Sequence, residues 1–473
     1  MRTFAQNNAS NTQRVEKPLR GGKRSGSSNG RPMIRRLPRC TFALTALFVL
    51  FTAGCGGGPA LRAAEQGDLA GVRKIASTNG AEIDADEARG IAQAILKREI
   101  AQAKGEEGVK KLRELPSCAV ALRDALEARG ASRDEVAAVA TLMRFDAQAL
   151  DHEGLGEAAK TALATPGASS MWRAVDARSL IGADSGARRR SLFLDGDQAV
   201  RVGALEAAYD ATDPSDVEGL LEAARLDPYP EARTAAISAA GNIGGERVVH
   251  ALGDMFVHAS EDERLTILGA WASPRAFGVG GRDKLVRVME TESGPAQIAA
   301  AGVLVRRPGA SGEQATSVLA KAVETGSTRE RVFAIRAALL ELAPVRAAVL
   351  KAQDDPDADV SLAALERSLE LYPGSGDGAK PKERAEVVKK LMVVAKTSGV
   401  RALLARGTLA RAGVQDVVPL LKDDAKSENG QARKAAGSSL VAMGMHGPAA
   451  VLAADQDEHV RTGVACALLR KVD

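Results

Sequence analysis

Aromatic residues are scarce in this sequence. Phe, Trp and Tyr make up only 3% of its 473 residues, whereas small and aliphatic residues dominate the composition. Few aromatic side chains disfavour a deep ligand pocket, because such pockets are lined largely by apolar and aromatic groups. The composition favours helices with small side chains that pack closely together.

Motifs of common metal and nucleotide sites are missing as well. The sequence contains no His-Glu-x-x-His, Cys-x-x-Cys or Gly-Lys-Ser/Thr pattern. Only His250 and His258 are close in sequence, and a gap of eight residues on a helix does not form a chelating i, i+4 pair. Gly278–Gly281 lacks a phosphate-binding Lys/Ser pattern and is predicted to be a loop. We therefore predict a protein that is not an enzyme, with no catalytic residues, metal or cofactor. The other histidines are His152, His446 and His459.

The formal net charge of +4 comes from the N-terminus. Residues 1–54 contain ten Lys and Arg residues and one acid, so the chain from Cys55 onward has 54 basic and 59 acidic residues. A mildly acidic chain has no net electrostatic attraction to nucleic acid. We expect no nucleic-acid partner.

The N-terminus has the pattern of an export signal. Residues 1–32 are polar and basic, and they form either a leader or sequence upstream of a true start at Met33. Residues 33–39 are charged, and residues 41–51 are apolar. This apolar run is roughly half to two thirds of the ~20 residues that a spanning helix needs, which is typical of a signal peptide.

Residues 52–55, Thr-Ala-Gly-Cys, resemble a bacterial lipobox, although Thr52 stands where leucine is usual. The resemblance implies cleavage after Gly54 and acylation of Cys55, which would anchor residues 55–473 to a membrane. Residues 55–60 would then be a flexible tether. The alternative is ordinary secretion with an incidental cysteine.

A helical hairpin recurs along most of the chain. Its clearest copy is residues 225–252, where a turn with Pro and Asp is followed by apolar residues at helical spacing. Gly241 and Gly244 are predicted to end the first helix of this copy. One hairpin cannot bury its own apolar face, so it needs copies on either side.

Each copy begins with a basic residue, or a substitute for it, followed three and four positions later by small and apolar residues. Successive copies are 32, 31, 33, 34, 30, 40, 32 and 28 residues apart. The 40-residue interval contains a predicted loop insert, residues 372–381, and Trp172 with Arg173 begins a tenth copy. The leading residues are Arg201, Arg233, Arg264, Gln297, Arg331, Ser361, Arg401, Arg433 and Arg461.

Two copies carry a family resemblance. Val-Val-Pro-Leu-Leu-Lys-Asp-Asp (417–424) and the segment 455–468 resemble HEAT repeats, in particular the short variety also found in phycobilisome lyases. The resemblance implies an all-α fold, an α-solenoid of about nine to ten helical hairpins over residues 166–473.

Residues 61–165 are interpreted as an irregular helical cap. Residues 61–75 resemble the opening of an ankyrin repeat, with one helix ending at Gly67–Asp68 and a second beginning at Leu69. Terminal repeats cover an exposed apolar end, so atypical sequence is expected in a cap. Further helices are predicted at 87–104, 118–129, 132–145 and 154–164.

The recurring arginines have two interpretations. A row of guanidinium groups could bind phosphate or acidic partners. Alternatively, each arginine bonds carboxylates and carbonyls of turns in its own or the adjacent repeat, for example Asp195 or Asp197 with Arg201, and Asp457 with Arg461. The resemblance to HEAT proteins favours the second, structural interpretation.

Cys118 and Cys466 remain after signal cleavage and acylation. They would lie far apart in a linear array, so we expect no disulfide between them and a core thiol at Cys466. Trp172 and Trp271 are interpreted as core or edge residues.

These features predict a lipid-anchored scaffold or adaptor of a bacterial cell envelope that binds a protein or peptide. The resemblance to HEAT proteins implies that the helices that begin at the recurring arginines present the binding surface, with Glu206, Ser238 and Arg336 as examples of exposed residues. Gly56, where some retained lipoproteins carry Asp, favours the outer membrane, with the protein facing the periplasm. The alternatives are an enzyme of the phycobilin-lyase type and a permanent structural subunit of an envelope complex.

Overall fold

A computed structural model describes residues 58–102, 170–307, 309, 311–372 and 381–469. All regular secondary structure in these ranges is helical, which confirms the predicted all-α class. None of the described helices is both long and apolar enough to span a membrane. Several predicted features lie outside the described residues: the signal peptide, Cys55, Cys118, His152, the helices at 118–129, 132–145 and 154–164, and residues 373–380 of the loop insert.

The helices are short, and single helical turns connect some of them. We number those of six residues or more in chain order: α1 Pro59–Gln66, α2 Leu69–Asn79, α3 Ala85–Gln102, α4 Ser170–Arg178, α5 Gly186–Ser191, α6 Gln198–Ala211, α7 Val217–Leu226, α8 Pro230–Ile243, α9 Glu246–Phe256, α10 Glu261–Trp271, α11 Arg282–Thr291, α12 Gly294–Leu304, α13 Gly312–Thr325, α14 Thr328–Ala337, α15 Ala343–Lys351, α16 Ala358–Leu371, α17 Pro381–Ala395, α18 Val400–Arg411, α19 Val418–Asp424, α20 Gly430–Ala442, α21 His446–Ala453 and α22 Glu458–Leu469.

Turn chemistry sets where the helices begin and end. Ser260 and Ser327 each cap a helix, α10 and α14, in a box with a glutamate three residues later. Gly244 follows α8 with a φ of 76°, which confirms the predicted stop there. The predicted loop Gly278–Gly281 lies in a tight turn in which Gly280 has a φ of 110°.

The predicted stop at Gly241 is wrong, because Gly241 lies inside α8. A Cβ atom at this position would lie 2.3 Å from the Cβ of Ala270 on α10. Glycine therefore permits a close approach of two helices here. Its role is packing rather than helix termination.

The helices pack in adjacent pairs. Ten of them form a row in which each member contacts the next: α4, α6, α8, α10, α12, α14, α16, α18, α20 and α22. We call it the arginine row, because it contains every helix that carries a recurring arginine, or its substitute, in its first turn. The intervening helices pack against one or both of their neighbours in the row.

Small and aliphatic side chains fill the space between the helices. Most of the residues predicted to be small or apolar three and four positions after each arginine are buried, as at Ala204 and Leu205, or Ala236 and Ile237, all fully inaccessible. The exception is Leu404 on α18, which is 45% exposed, so the predicted burial is wrong there. Each buried Leu or Ile side chain contributes about 1.5–3 kcal/mol relative to its exposed state. The core is therefore distributed along the row, and no single residue dominates it.

The N-terminal helices pack on the last helices of the chain. α2 contacts α21, α3 contacts α21 and α22, and all share one apolar core. Arg73 Nη1 donates to the carbonyl of Ala454 at 2.6 Å. A Cβ on Gly447 would lie 2.0 Å from the carbonyl oxygen of Gly80, so the backbones touch here. The helices α1–α3 therefore cover the C-terminal repeat.

Cys466 is buried on α22 and is disulfide-bonded. The expected core thiol is therefore wrong in its oxidation state, although the burial is as expected. That expectation assumed that the N-terminal region lies far from the last repeat, whereas α3 packs directly on α22. The three other cysteines of the chain lie outside the described residues.

Candidate functional site at the turns of the arginine row

The recurring arginines occupy one place in their helices, the fourth helical residue. From that place a side chain reaches back to the turn before its own helix and sideways to the turn of the next repeat. Eight of the nine predicted positions are the fourth residue of a helix: Arg201, Arg233, Arg264, Gln297, Arg331, Ser361, Arg433 and Arg461.

Arg201 and Arg233 share one aspartate. Arg201 donates from Nη1 to the carbonyl of Asp195 at 2.7 Å and from Nε to the carboxylate of Asp227 at 2.7 Å. Arg233 donates to the backbone carbonyl of the same Asp227 at 2.8 Å and to the carboxylate of Glu263 at 2.6 Å. The hydrogen bond to Asp227 raises the pKa of the Arg201 guanidinium above its ordinary value. Each arginine thus joins two consecutive turns.

The same contacts recur at the C-terminal end. Arg433 donates to the carbonyl of Ser427 and to the carboxylate of Asp455, both at 2.9 Å. Arg461 donates to the carbonyl of Asp455 at 2.8 Å and to the carboxylate of Glu99 at 2.6 Å. Glu99 belongs to α3, so the N-terminal region supplies the carboxylate that a further repeat would otherwise supply.

Arg331 keeps both kinds of contact, and two other repeats lose one of them. Arg331 bonds the carbonyl of Val323 and the carboxylate of Asp355. Gln297 and Ser361 keep only the carbonyl contact of their own turn, at 2.9 Å to Met289 and 2.7 Å to Gln353. The neutral substitutes therefore retain the bond within the repeat.

Arg401 does not occupy the position assigned to it. It is the second residue of α18 rather than the fourth, it is exposed, and its contact is a 3.5 Å pair with Asp359. Arg406, one helical turn further on, donates to the carbonyls of Ala395 at 2.7 Å and Thr397 at 2.9 Å. It also donates to the carboxylate of the next repeat, Asp424, at 2.5 Å. Arg406, the seventh residue of α18, therefore makes the contacts that the fourth residue makes in the other helices.

Most guanidinium nitrogen atoms of these arginines already donate to groups of the protein, so few are available to an external ligand. The paired side chains range from 9% exposed at Arg201 to 30% exposed at Arg264. A phosphate or acidic partner would have to displace carboxylates and carbonyls that already accept these hydrogen bonds. The geometry therefore favours a role of these arginines in joining repeats.

A buried ion pair near the start of the row was not predicted. Arg189 on α5 and Asp216 are both fully buried, and Arg189 Nε donates to Asp216 at 2.8 Å. Arg190 bonds the same carboxylate at 3.1 Å, and Asp213 lies beside both arginines. The backbone N–H of Ser215 lowers the pKa of the Asp213 carboxyl. The sequence pattern that could have indicated this ion pair is the basic run Arg188 to Arg190, followed further along the chain by Asp213 and Asp216.

The histidines and the tryptophan in the described part of the chain form no metal site of their own. His250, His258 and His459 are exposed, and the described residues contain no group of three or more His, Cys, Asp or Glu side chains that could hold a metal ion. Trp271 is buried against Phe256, with ring centroids 5.4 Å apart, and is a core residue.

Two of the three residues expected on an exposed helical surface are not exposed. The side chain of Glu206 is 17% exposed and lies 3.6 Å from Arg178, and Ser238 is half-buried. Arg336 is exposed. Close packing along the arginine row covers side chains that an isolated helix would present to solvent.

Three large exposed apolar residues lie at the C-terminal end of the helix or helical turn that precedes a helix of the arginine row. Leu194 is 74% exposed, Leu226 is 72% exposed and Val257 is 63% exposed. Each lies seven positions before the fourth residue of the following helix. The arginine contacts place these turns side by side, because Arg201 bonds both the first turn, at Asp195, and the second, at Asp227.

The same position is acidic in the next three repeats, at Glu290, Glu324 and Asp354, which are all exposed. We call the six residues the turn row: Leu194, Leu226, Val257, Glu290, Glu324 and Asp354. Neighbouring lysines form ion pairs with two of the acids, an exposed pair of Glu324 with Lys351 and a partly exposed pair of Asp354 with the half-buried Lys390. Such exposed pairs contribute only about 0–1 kcal/mol and exchange readily for other partners.

No protein-family model matches this chain, and a search of curated proteins finds no matching relative. The resemblance to HEAT repeats therefore stays a prediction.

Proposed function

We propose that this chain is a lipid-anchored, non-catalytic scaffold of a bacterial cell envelope, built as an α-solenoid of HEAT-like hairpins, which binds a protein or peptide. The observation that carries the binding proposal is the set of exposed apolar side chains at equivalent turns, Leu194, Leu226 and Val257. Large apolar side chains at such exposure cost free energy in water and gain it on burial against a partner.

The solenoid is supported by the repeated contacts of the arginine row. The same hydrogen bonds recur in successive repeats, from Arg201 and Asp227 to Arg433 and Asp455. Repeats that touch mainly their neighbours are the defining feature of a solenoid.

The anchor has a geometric consequence. Three residues separate Cys55 from Pro59, the first residue of α1. Four Cα-to-Cα steps span at most about 14 Å, so a lipid on Cys55 would hold α1 close to the bilayer surface. Since α1 packs on α2 and α3, which pack on α21 and α22, the last repeat would lie next to the membrane.

Two experiments on the full chain in bacteria test the proposal. Metabolic labelling with a fatty-acid probe should mark the wild-type protein and leave Cys55→Ala unlabelled. Equal labelling of both would overturn the anchor. A photo-crosslinking residue at position 226 should capture a defined partner that the same residue at position 400, equally exposed but on α18, does not capture. Identical products at both positions would overturn specific binding at the turns.

A further inference from the structure

We infer that the turn row is a docking surface for a polypeptide segment that has apolar side chains at one end and lysine or arginine at the other. This inference rests on the proposed binding function and names the surface and the chemistry of the partner. The six positions are equivalent in six consecutive repeats, three of them apolar and three acidic.

The order along the row decides the chemistry of the partner. In the first three repeats the residue at this position is apolar: Leu194, Leu226 and Val257. In the next three repeats the residue at this position is acidic: Glu290, Glu324 and Asp354. Surfaces that bind polypeptides match apolar side chains to apolar ones and opposite charges to each other. A segment that is apolar throughout would place its apolar groups against three carboxylates, and an acidic segment would be repelled by them.

A further side chain extends the apolar half of the row. Tyr229 is 44% exposed beside Leu226, and its ring lies 5.4 Å from the guanidinium carbon of Arg201. An aromatic ring held by an internal contact offers a rigid apolar surface. In the acidic half, Asp357 is half-buried and accepts hydrogen bonds from Thr328 and from the backbone N–H of Asp359, so it adds no free carboxylate to the row. Among the described residues, Lys351 and Lys390 form the ion pairs with acids of the turn row.

Packing geometry sets the spacing that the partner needs. Adjacent helices pack about 8–10 Å apart, so the positions of the turn row recur at about that distance. An extended chain covers this distance in about three residues, and a helix covers it in about seven. The partner would therefore carry its contacting side chains at one of these two spacings.

Synthetic peptides test the assignment on the full purified chain. Two probes carry leucines and then lysines, one at every third residue and one at every seventh. Two controls replace the lysines with glutamates. We expect at least one leucine–lysine probe to bind, with at least about tenfold higher affinity than its leucine–glutamate control, measured by fluorescence anisotropy. Added salt should weaken this binding, because the charged half is exposed. Failure of both leucine–lysine probes to bind, or equal binding of the controls, would overturn the inference.

Matched variants locate the binding. Leu226→Ser should weaken the binding probe about tenfold, whereas Val400→Ser, which removes an equally exposed apolar side chain off the turn row, should leave it unchanged. Glu290→Gln should reduce the salt dependence, whereas Glu222→Gln on α7 should not. All four residues are exposed, so circular dichroism should show wild-type helicity. Equal effects of Leu226→Ser and Val400→Ser would overturn the surface.

The outcomes separate this inference from the proposed function. If a partner is captured in cells and neither Leu226→Ser nor Glu290→Gln weakens its binding, the turn row is not the docking surface, although the proposed binding function is retained. Absence of acylation together with absence of any captured partner would overturn the proposed function.

Discussion

Arg461 donates from Nε to the carboxylate of Glu99 at 2.6 Å across 362 residues of sequence. Both side chains are nearly buried, with 11% and 10% exposed. Arg201 makes the equivalent contact with Asp227 and Arg433 with Asp455, in both cases the carboxylate of the following repeat. The helix α3 thus takes the place of a repeat after the last one.

Glu99→Ala should destabilise the docking of α3 on α22. Removing one partner of a buried ion pair leaves the other charge without compensation and costs about 3–5 kcal/mol. Urea unfolding followed by circular dichroism should show this loss. Glu218→Ala, which breaks an exposed pair with Arg247, should cost less than about 1 kcal/mol. Equal costs for the two variants would contradict the importance of the contact.

Arg406→Ala should destabilise the protein more than Arg401→Ala. Arg406 and its partner Asp424 are each 12% exposed, whereas Arg401 and Asp359 are 52% and 61% exposed. We expect a loss of about 3 kcal/mol for Arg406 and less than about 1 kcal/mol for Arg401, measured by the same unfolding experiment. The reverse order would show that α18 follows the register predicted from the sequence.

Gly241→Ala should be destabilising even though alanine favours helices. The added Cβ would lie 2.3 Å from that of Ala270, so α8 and α10 must separate. Overpacking of this kind costs about 1–3 kcal/mol. Gly278→Ala is the control, because no atom lies within 4 Å of its added Cβ. A midpoint of thermal unfolding unchanged by Gly241→Ala would contradict the close approach of the helices.

Stability should decrease as the pH falls below about 4, the usual pKa of an aspartate. Burial by itself raises the pKa of the Asp455 carboxyl, but hydrogen bonds from Arg433 and from the backbone N–H of Asp457 outweigh burial, and the pKa lies below its ordinary value. A carboxyl with a lower pKa in the folded than in the unfolded state stabilises the fold above the unfolded value. This stabilisation is lost as the pH falls through the folded value.

Urea unfolding between pH 7 and pH 3 measures this dependence. Asp455→Asn should lower stability at pH 7 and flatten the dependence on pH, since asparagine does not titrate. A variant with the wild-type slope would show that Asp455 does not contribute to it.

Peptide mapping without reduction should identify Cys118 as the disulfide partner of Cys466. The helix α3, which precedes Cys118 in sequence, packs on the helix that carries Cys466. Cys55 would be acylated under the proposed function, and an acylated thiol cannot form a disulfide. Mass spectrometry that joins Cys55 to Cys466 would therefore contradict the lipid anchor.

The sequence by itself determined the helical class, the repeat length and most of the buried positions after the arginines, with Leu404 after Arg401 as the exception. These properties are local, because a 3.6-residue period of small and apolar side chains specifies a helix and the face that it buries. It also indicated that the arginines bond turn carbonyls and carboxylates, since the contacting groups lie at regular distances along the chain.

Only the tertiary structure decided which groups meet over long separations. Glu99 as the partner of Arg461, the oxidised state of Cys466 and the shift from Arg401 to Arg406 depend on where helices begin and which of them pack together. The turn row was equally hidden, since Leu194 and Leu226 look like core leucines in sequence. Leu194 ends the short helical turn before α6 and Leu226 is the last residue of α7, so both lie beyond the helical face that the neighbouring repeats cover.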